Sequence, residues 1–73
     1  MVAQKKRETD ITIAQVPPPV RAAIEKVTAG SKIKEIEKIE FGGKITYEVE
    51  YTNDGKDQEA EFSEDGKMLK NVQ

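Results

Sequence analysis

Residues 45–62 read ITYEVEYTNDGKDQEAEF, and this stretch decides the fold. Apolar side chains at Ile45, Tyr47, Val49 and Tyr51 alternate with polar ones, which is typical of a strand with one buried and one solvent-facing side. A turn signal, Asn53-Asp54-Gly55, follows, and the alternation then resumes. In the second strand, Ala60 and Phe62 point inward, whereas Glu59 and Glu61 point outward. The stretch therefore predicts an antiparallel hairpin that is apolar on one side and acidic on the other.

The composition narrows the class of protein. The chain has 73 residues, of which 36% are hydrophobic and 36% are charged, and this suits one small domain. It contains neither cysteine nor histidine, which removes thiolate chemistry, disulfides, the usual general base and the commonest transition-metal ligand. No apolar run reaches the roughly 18 residues of a membrane span, and no signal-peptide pattern is visible. We therefore expect no enzyme, cofactor, metal site or membrane insertion.

The charge is unevenly distributed along the chain. Residues 1–44 carry nine basic and six acidic side chains, whereas residues 45–66 carry one basic and eight acidic side chains. An acidic hairpin repels phosphates, so a nucleic-acid partner is not expected. The short cluster Lys5-Lys6-Arg7 is followed by acids and is typical of a solvated tail. We accordingly predict that residues 1–10 are frayed and that residues 11–73 form the domain.

A helix is predicted directly after the triple proline. The segment before it is either a short extended piece or one helical turn capped by Thr12, with Ile13 and Val16 packing against the core. Proline is tolerated in the first turn of a helix, where its missing N–H would have no partner. The apolar spacing over residues 20–27 forms one helical stripe, and Gly30 suits a left-handed C-cap. These signals predict a helix over residues 18–29.

Two registers compete for the hairpin around Gly42-Gly43. A two-residue loop pairs Phe41 with Lys44 and places Lys38 beside Tyr47. A three-residue loop instead gives the pairs Phe41–Ile45, Ile39–Tyr47 and Lys38–Glu48. We favour the three-residue loop because it buries the aromatic side chains and sets opposite charges across the strands. Ile36 would then reach the core through a bulge near Glu37.

The last hairpin completes the predicted architecture. A two-residue Asp65-Gly66 loop pairs Phe62 with Leu69 and Glu61 with Lys70, which predicts a final strand over residues 67–71. The predicted fold is α+β, with one N-terminal helix on a four-stranded antiparallel meander of order 1-2-3-4. The helix is expected to cover a face formed by Ile39, Phe41, Ile45, Tyr47, Val49, Ala60, Phe62 and Leu69.

The succession VPPPVRAAIEK, IKEIE, ITYEVEY and EDGKMLK resembles the PepSY-like family over residues 11–70. That family includes the repeats of the β-lactamase-inhibitor-protein fold. The resemblance lies in Val16-Pro17 and Val20, Ile33, Ile36 and Glu37, Tyr47-Glu48-Val49, and Asp65-Gly66-Lys67. It implies a non-enzymatic, extracytoplasmic module that binds or inhibits proteins, peptidases especially. The chain departs from the inhibitor in being a single repeat without cysteines.

The acidic side of the sheet is the candidate contact surface. Glu48–Glu61 and Glu50–Glu59 would lie directly opposite one another, and opposed like charges are mildly destabilising. We hypothesise that this side docks an unknown protein partner; the alternative is a solvated face neutralised by flanking lysines. Oxygen-bearing side chains also cluster near the turns, at Asn53, Asp54, Asp57, Glu64 and Asp65, but they lack the spacing of a calcium loop. Turn chemistry explains Asn53-Asp54-Gly55 and Asp65-Gly66. The predicted contact residues are Lys34, Lys38, Glu48, Glu50, Glu59, Glu61, Met68 and Lys70.

A rival hypothesis from another class is an assembly unit that dimerises through an edge strand. The sequence leaves the oligomeric state open, and we favour a monomer.

Overall fold

The computed structural model describes residues 5–72. Its elements are β1 (Arg7–Ile11), a 3₁₀ turn (Ile13–Gln15), α1 (Pro18–Val27), β2 (Lys32–Phe41), β3 (Lys44–Asn53), β4 (Lys56–Ser63) and β5 (Met68–Val72). The strands form one antiparallel sheet of order β1-β2-β3-β4-β5. The predicted α+β class with one helix on an antiparallel meander is confirmed. The predicted number of four strands is wrong, because the sheet has five.

The additional strand is β1, which includes residues that we expected to be frayed. Arg7–Ile11 pairs with β2 so that Ile11 lies opposite Ile36 and Asp10 opposite Glu37. The strand is short and almost entirely exposed, so it lacks the alternation that identifies a half-buried strand. It forms because the outer edge of β2 offers unpaired backbone groups that another strand can satisfy. The rest of the predicted tail, residues 1–4, lies outside the described residues.

The helix begins at the prolines, as predicted. Pro18 and Pro19 occupy its first two positions, where the missing N–H groups cost no hydrogen bond. It ends at Val27, two residues before the predicted end. The backbone N–H and the hydroxyl of Thr28 both donate to the Ile24 carbonyl, at 2.9 and 2.7 Å, and Gly30 follows with a positive φ of 77°. The Arg21 guanidinium donates to the carbonyls of Ala14 and Val16, at 3.2 and 3.3 Å. It thereby ties the 3₁₀ turn to the helix.

The core lies between α1 and one face of the sheet. Val20 and Ile24 are fully buried, and they pack with Val16 against side chains of β2, β3 and β4. The strand residues of this cluster are Ile36, Tyr47, Val49, Tyr51, Ala60 and Phe62. Ile13 is partly buried against the same cluster. The predicted packing of Ile13, Val16, the helical stripe and the β3–β4 hairpin is therefore confirmed.

The register chosen for the β2–β3 hairpin is wrong. The loop has two residues, so that Phe41 pairs with Lys44, Lys38 with Tyr47 and Ile39 with Thr46. Gly42 and Gly43 both have positive φ, at 59° and 79°. Two consecutive residues with positive φ form the tight turn whose twist matches a hairpin, and glycine adopts it without steric strain. The turn geometry therefore outweighs the burial of two apolar side chains.

This register changes which side chains face the helix. Lys38 lies on the helix side and is half-buried, whereas Ile39 and Phe41 lie on the opposite side, contrary to our expectation. Ile36 is buried as predicted, but the irregularity that brings it there lies between Ile33 and Glu35 rather than near Glu37.

The β4–β5 connection, by contrast, is longer than predicted. The N–H of Ser63 donates to the Lys67 carbonyl at 2.9 Å, and that of Gly66 donates to the Ser63 carbonyl at 3.0 Å. The loop therefore spans residues 64–67, and Phe62 pairs with Met68 instead of Leu69. Leu69 falls in a register shift and is exposed, contrary to prediction. The predicted pair of Glu61 with Lys70 is confirmed.

Candidate functional site

Carboxylates cross the side of the sheet that faces away from the helix. Direct pairs join Asp10 to Glu37, Glu37 to Glu48 and Glu48 to Glu61 in one row, and Glu35 to Glu50 and Glu50 to Glu59 in the next. Directly paired residues of antiparallel strands point to the same side. We call these seven side chains the acidic patch: Asp10, Glu35, Glu37, Glu48, Glu50, Glu59 and Glu61.

The structure brings together most of the predicted contact residues, but not all. The four predicted glutamates lie in the acidic patch, Lys70 is paired with Glu61 at its edge, and Lys34 reaches Asp57 at 3.2 Å on the same side of the sheet. Lys38 is opposite Tyr47 and Met68 opposite Phe62, both on the helix side. These two residues therefore do not belong to the surface on which we expected them.

Sequence reasoning missed three members of the patch, Asp10, Glu35 and Glu37. A two-residue loop at Gly42-Gly43 places Glu37 opposite Glu48 and Glu35 opposite Glu50, so a signal for two of them was present. Asp10 joins only because β1 forms. The patch is consequently wider than the four glutamates of the β3–β4 hairpin.

The crowding of the carboxylates shifts their proton affinity. Burial of the side chain, together with the neighbouring charges of Glu35 and Glu8, raises the pKa of Glu37 to about 7. Burial and the charges of Glu59 and Glu61 raise the pKa of Glu48. A hydrogen bond with the Asp10 carboxyl, followed by the charge of that group, raises the pKa of Glu35. Near neutral pH the patch therefore shares protons and remains strongly negative.

Within the described part of the chain, no ion pair neutralises the patch. Among residues 5–72, side-chain ion pairs within 4.0 Å join Lys6 to Glu8, at 3.4 Å, and Lys34 to Asp57, at 3.2 Å. None of the seven carboxylates belongs to either pair. Glu61 accepts a hydrogen bond from the Thr46 hydroxyl at 3.0 Å, which fixes its orientation without cancelling its charge.

An apolar groove borders the patch at the end of the sheet near the Gly42-Gly43 turn. Its volume is about 400 Å³, and it is lined by Lys6, Ile39, Phe41, Lys44, Thr46 and Glu61. Phe41 is 51% exposed, whereas Ile39 is buried under its neighbours. A wider opening of about 700 Å³ shares Lys6, Phe41 and Lys44 with the groove, and it is also lined by Lys5, Arg7, Glu8 and Glu40. The solvent-facing side of the sheet thus carries apolar side chains and lysines at one end and carboxylates in the middle.

Three carboxylates of the patch are close enough to share a cation. Oxygens of Asp10, Glu35 and Glu37 all lie within 4.8 Å of one another, and carboxylate oxygens are suitable ligands for Ca²⁺ or Mg²⁺. Exposed acidic groups commonly meet in this way without binding a metal. The cluster therefore does not establish a metal centre.

The acids of the turns play local structural roles. The Asp65 carboxylate accepts hydrogen bonds from the Ser63 hydroxyl and from the Lys67 N–H, and the first of these chiefly lowers the pKa of Asp65. Asp57 accepts a hydrogen bond from the Thr52 hydroxyl at 3.2 Å. These contacts fasten loops and strand ends, and they converge on no common point.

Comparison with known proteins agrees with the resemblance in sequence. A family model described as "Putative beta-lactamase-inhibitor-like, PepSY-like" matches residues 2–70. A search of curated proteins gives no match. In the part of the chain that the structure describes, no helix is long and apolar enough to cross a membrane. Because the family model covers nearly the whole chain, and the helix and meander are those expected from the resemblance, this chain belongs to the PepSY-like family.

Proposed function

We propose that this chain is a non-catalytic protein-binding module, of inhibitory type, that contacts its partner through the solvent-facing side of the sheet. The acidic patch carries this proposal. Carboxylates placed directly opposite one another on antiparallel strands cost a few tenths of a kcal/mol for each pair. Five such pairs occur on this side. A basic partner surface would relieve the repulsion, whereas solvent alone relieves it only in part.

The observed register supports the following proposed contact surface. It comprises Lys34, Glu48, Glu50, Glu59, Glu61 and Lys70, as the sequence predicts, together with Asp10, Glu35 and Glu37. Lys38 and Met68 are removed because they lie on the helix side. The inhibitory character rests on the description of the family, and the expectation of a peptidase as partner rests on the resemblance in sequence alone. The absence of histidine and cysteine from the chain agrees with a module that binds rather than catalyses.

Matched charge reversals test the contact surface. Glu50→Lys with Glu59→Lys reverses two carboxylates of the patch, and Glu25→Lys with Glu64→Lys changes the net charge equally at exposed sites away from it. The immobilised proteins are compared for the partner that they retain from the secreted fraction of the source organism. We expect the patch variant to lose that partner and the control variant to keep it. Equal retention by both variants would remove the patch from the contact surface.

The inhibitory character needs a separate measurement. Initial rates of a panel of peptidases and β-lactamases are measured without additive, with the native chain and with the patch variant. We expect one enzyme class to be inhibited by the native chain and not by the variant. Retention of a partner without inhibition would leave a binding module and reject the inhibitory type.

The second candidate function is an assembly unit that pairs through an edge strand, and the exposure of β5 favours that edge. Met68, Leu69 and Val72 of β5 are all large, apolar and exposed. By contrast, β1 presents mainly charged side chains, which protect an edge from pairing. Sedimentation of the isolated chain at high micromolar concentration separates the two functions. A dimer that Leu69→Lys converts to a monomer would support assembly, and a monomeric native chain would reject it.

We further propose an extracytoplasmic location, which rests on family membership. Expression of the native gene with a C-terminal tag in its own organism, followed by fractionation, tests it. Recovery of the tagged protein in the cytoplasmic fraction alone would contradict the proposal.

A further inference from the structure

The groove beside the acidic patch exists because of the hairpin register. The Gly42-Gly43 turn pairs Ile39 with Thr46 and Phe41 with Lys44, which places both apolar side chains on the solvent-facing side. A register shifted by one residue would have turned them toward the helix. The fold instead leaves half of the Phe41 surface in water, in a concave setting rather than on a flat sheet. An exposed aromatic side chain in a groove is typical of the centre of a protein contact.

The charges around this groove have an order along the strands. Lys6 and Lys44 line its outer end, and Lys6 is paired with Glu8 at 3.4 Å. The wider opening beyond it carries Lys5 and Arg7 together with Glu8 and Glu40. Glu61 closes the inner end of the groove, where the first row of the acidic patch begins. From Lys44 to Glu50 along β3, an extended chain covers about 20 Å, with successive outward side chains about 7 Å apart. Across β2 and β3, the surface therefore carries Lys44 beside Phe41, then Thr46 beside Ile39, and then two rows of carboxylates, over the length of one extended segment.

We propose that the apolar groove and the acidic patch form one recognition site for an extended polypeptide segment that carries, in order, an acidic, an apolar and several basic side chains. The inference rests on the proposed function and specifies the chemistry of the partner. The apolar side chain lies on Phe41 and above Ile39. The basic side chains lie over Glu48 and Glu61 and then over Glu50 and Glu59, and the acidic side chain faces Lys6 and Lys44.

Charge complementarity favours this occupant over the others that an apolar groove could take. Among residues 5–72, none of the seven carboxylates beside the groove lies within 4.0 Å of a basic side chain in an ion pair. They repel a nucleic acid or an anionic lipid surface that approached the same side. A second copy of the chain would bring its own acidic patch against this one, which is also repulsive. An extended segment with basic side chains next to an apolar one complements both the acidic patch and the apolar groove.

A synthetic peptide provides the probe. It contains one aspartate, then one phenylalanine, then three lysines, all separated by serines so that these side chains fall on one face of an extended chain. A scrambled peptide of the same composition has its lysines between the aspartate and the phenylalanine. Each is titrated into the ¹⁵N-labelled protein, and amide shifts are followed. We expect saturable binding with a dissociation constant of about 1 mM or tighter for the ordered peptide, centred on Phe41, Thr46 and Glu48, and weaker binding of the scrambled peptide.

Two variants of the protein separate the groove from simple charge attraction. Phe41→Thr removes the ring but keeps a residue that suits a strand, and we expect it to weaken binding of the ordered peptide at least about tenfold. Leu69→Thr is the matched control, because Leu69 is 50% exposed but lies outside the groove. Thermal unfolding of both variants checks that the fold is retained. If Phe41→Thr does not fold, Phe41→Val takes its place.

The outcomes distinguish this inference from the proposed function. If Phe41→Thr binds as the native chain does, or if the two peptides bind equally, the ordered site is rejected. The proposed function then survives as long as the Glu50→Lys, Glu59→Lys variant still loses its natural partner. If the ordered peptide shows no saturable binding, or if Leu69→Thr weakens it as much as Phe41→Thr, the inference is also rejected. Loss of affinity confined to Phe41→Thr and to the patch variant supports it.

Discussion

Gly66 is the residue at which the last turn touches the helix. Its φ is 89°, and a Cβ placed on it would lie 2.5 Å from the Pro19 carbonyl oxygen. The turn between β4 and β5 therefore packs directly against the first turn of α1, and no other amino acid fits without movement of the backbone. The positive φ and this contact together explain why a glycine follows Asp65.

Substitution of two glycines by alanine tests that contact. We expect Gly66→Ala to lower the free energy of unfolding by about 2–3 kcal/mol, because it combines positive φ with a backbone clash. Gly55→Ala is the control, since its φ is 76° but nothing lies within 4 Å of the added Cβ. Its cost should be about 1 kcal/mol. Urea denaturation of both variants measures the difference, and equal costs would show that the Pro19 contact is unimportant.

At the scale of single elements, the helix is held by its buried stripe rather than by its own propensity. It has ten residues, and isolated helices of that length are marginal in water. Ile24 is fully buried among strand side chains. We expect Ile24→Ala to destabilise the protein by about 3 kcal/mol. Glu25→Ala, on the exposed side of the same helix, should change stability by less than about 0.5 kcal/mol, as measured by chemical denaturation.

The β2–β3 turn sets which side chains reach the solvent-facing side, and it can be tested as a unit. Replacing Gly42-Gly43 by Asn-Gly should preserve the register and leave stability at or slightly above the native value, because both pairs suit two positive φ angles. Replacing it by Ala-Ala should cost about 2 kcal/mol. Nuclear Overhauser effects between Ile39 and Thr46 report the register. Their loss in the Asn-Gly variant would contradict this account of the turn.

The strands and the helix differ in how well the sequence predicts them. The alternation of β3 and β4 and the proline start of α1 are local signals, and the structure agrees with both. The β2–β3 register depended on a choice between burial and turn geometry, and one residue of shift moved Phe41, Ile39 and Lys38 to the other side. Strand β1 carries no local signal at all, because only its pairing with β2 makes it a strand. The apolar groove follows from the two-residue loop, which the sequence offered as an alternative, whereas Asp10 joins the acidic patch through β1, for which the sequence offered no signal.

For the whole molecule, the acidic patch makes stability depend on pH. The folded-state pKa of Glu37, about 7, lies above its ordinary value of 4.5, so between these values the folded state binds more protons than the unfolded state. The free energy of unfolding therefore falls as pH rises through this window. We expect a lower melting temperature at pH 8 than at pH 5.5 in low salt, and a smaller difference in high salt.

Glutamine variants identify the source of that dependence. Glu37→Gln should reduce the difference in melting temperature between pH 5.5 and pH 8, because the group with the raised pKa is removed. Glu25→Gln, at an exposed site on the helix, should leave it unchanged. A native melting temperature that is higher at pH 8 would show that the carboxylates of the patch do not repel one another as their geometry indicates.

The strand order has a consequence for how the chain folds. Every ladder joins strands that are neighbours in the chain, and three of the four are closed by short turns with little loop-closure entropy. Hairpins of this kind form in about 1–10 μs. The β1–β2 ladder differs, because the 3₁₀ turn and α1 lie between its two strands. It can form only after this longer segment has folded back onto the sheet. We therefore expect β2 to β5 to assemble first, as a low-contact-order nucleus, and β1 to join last, as the part of the sheet that opens most readily.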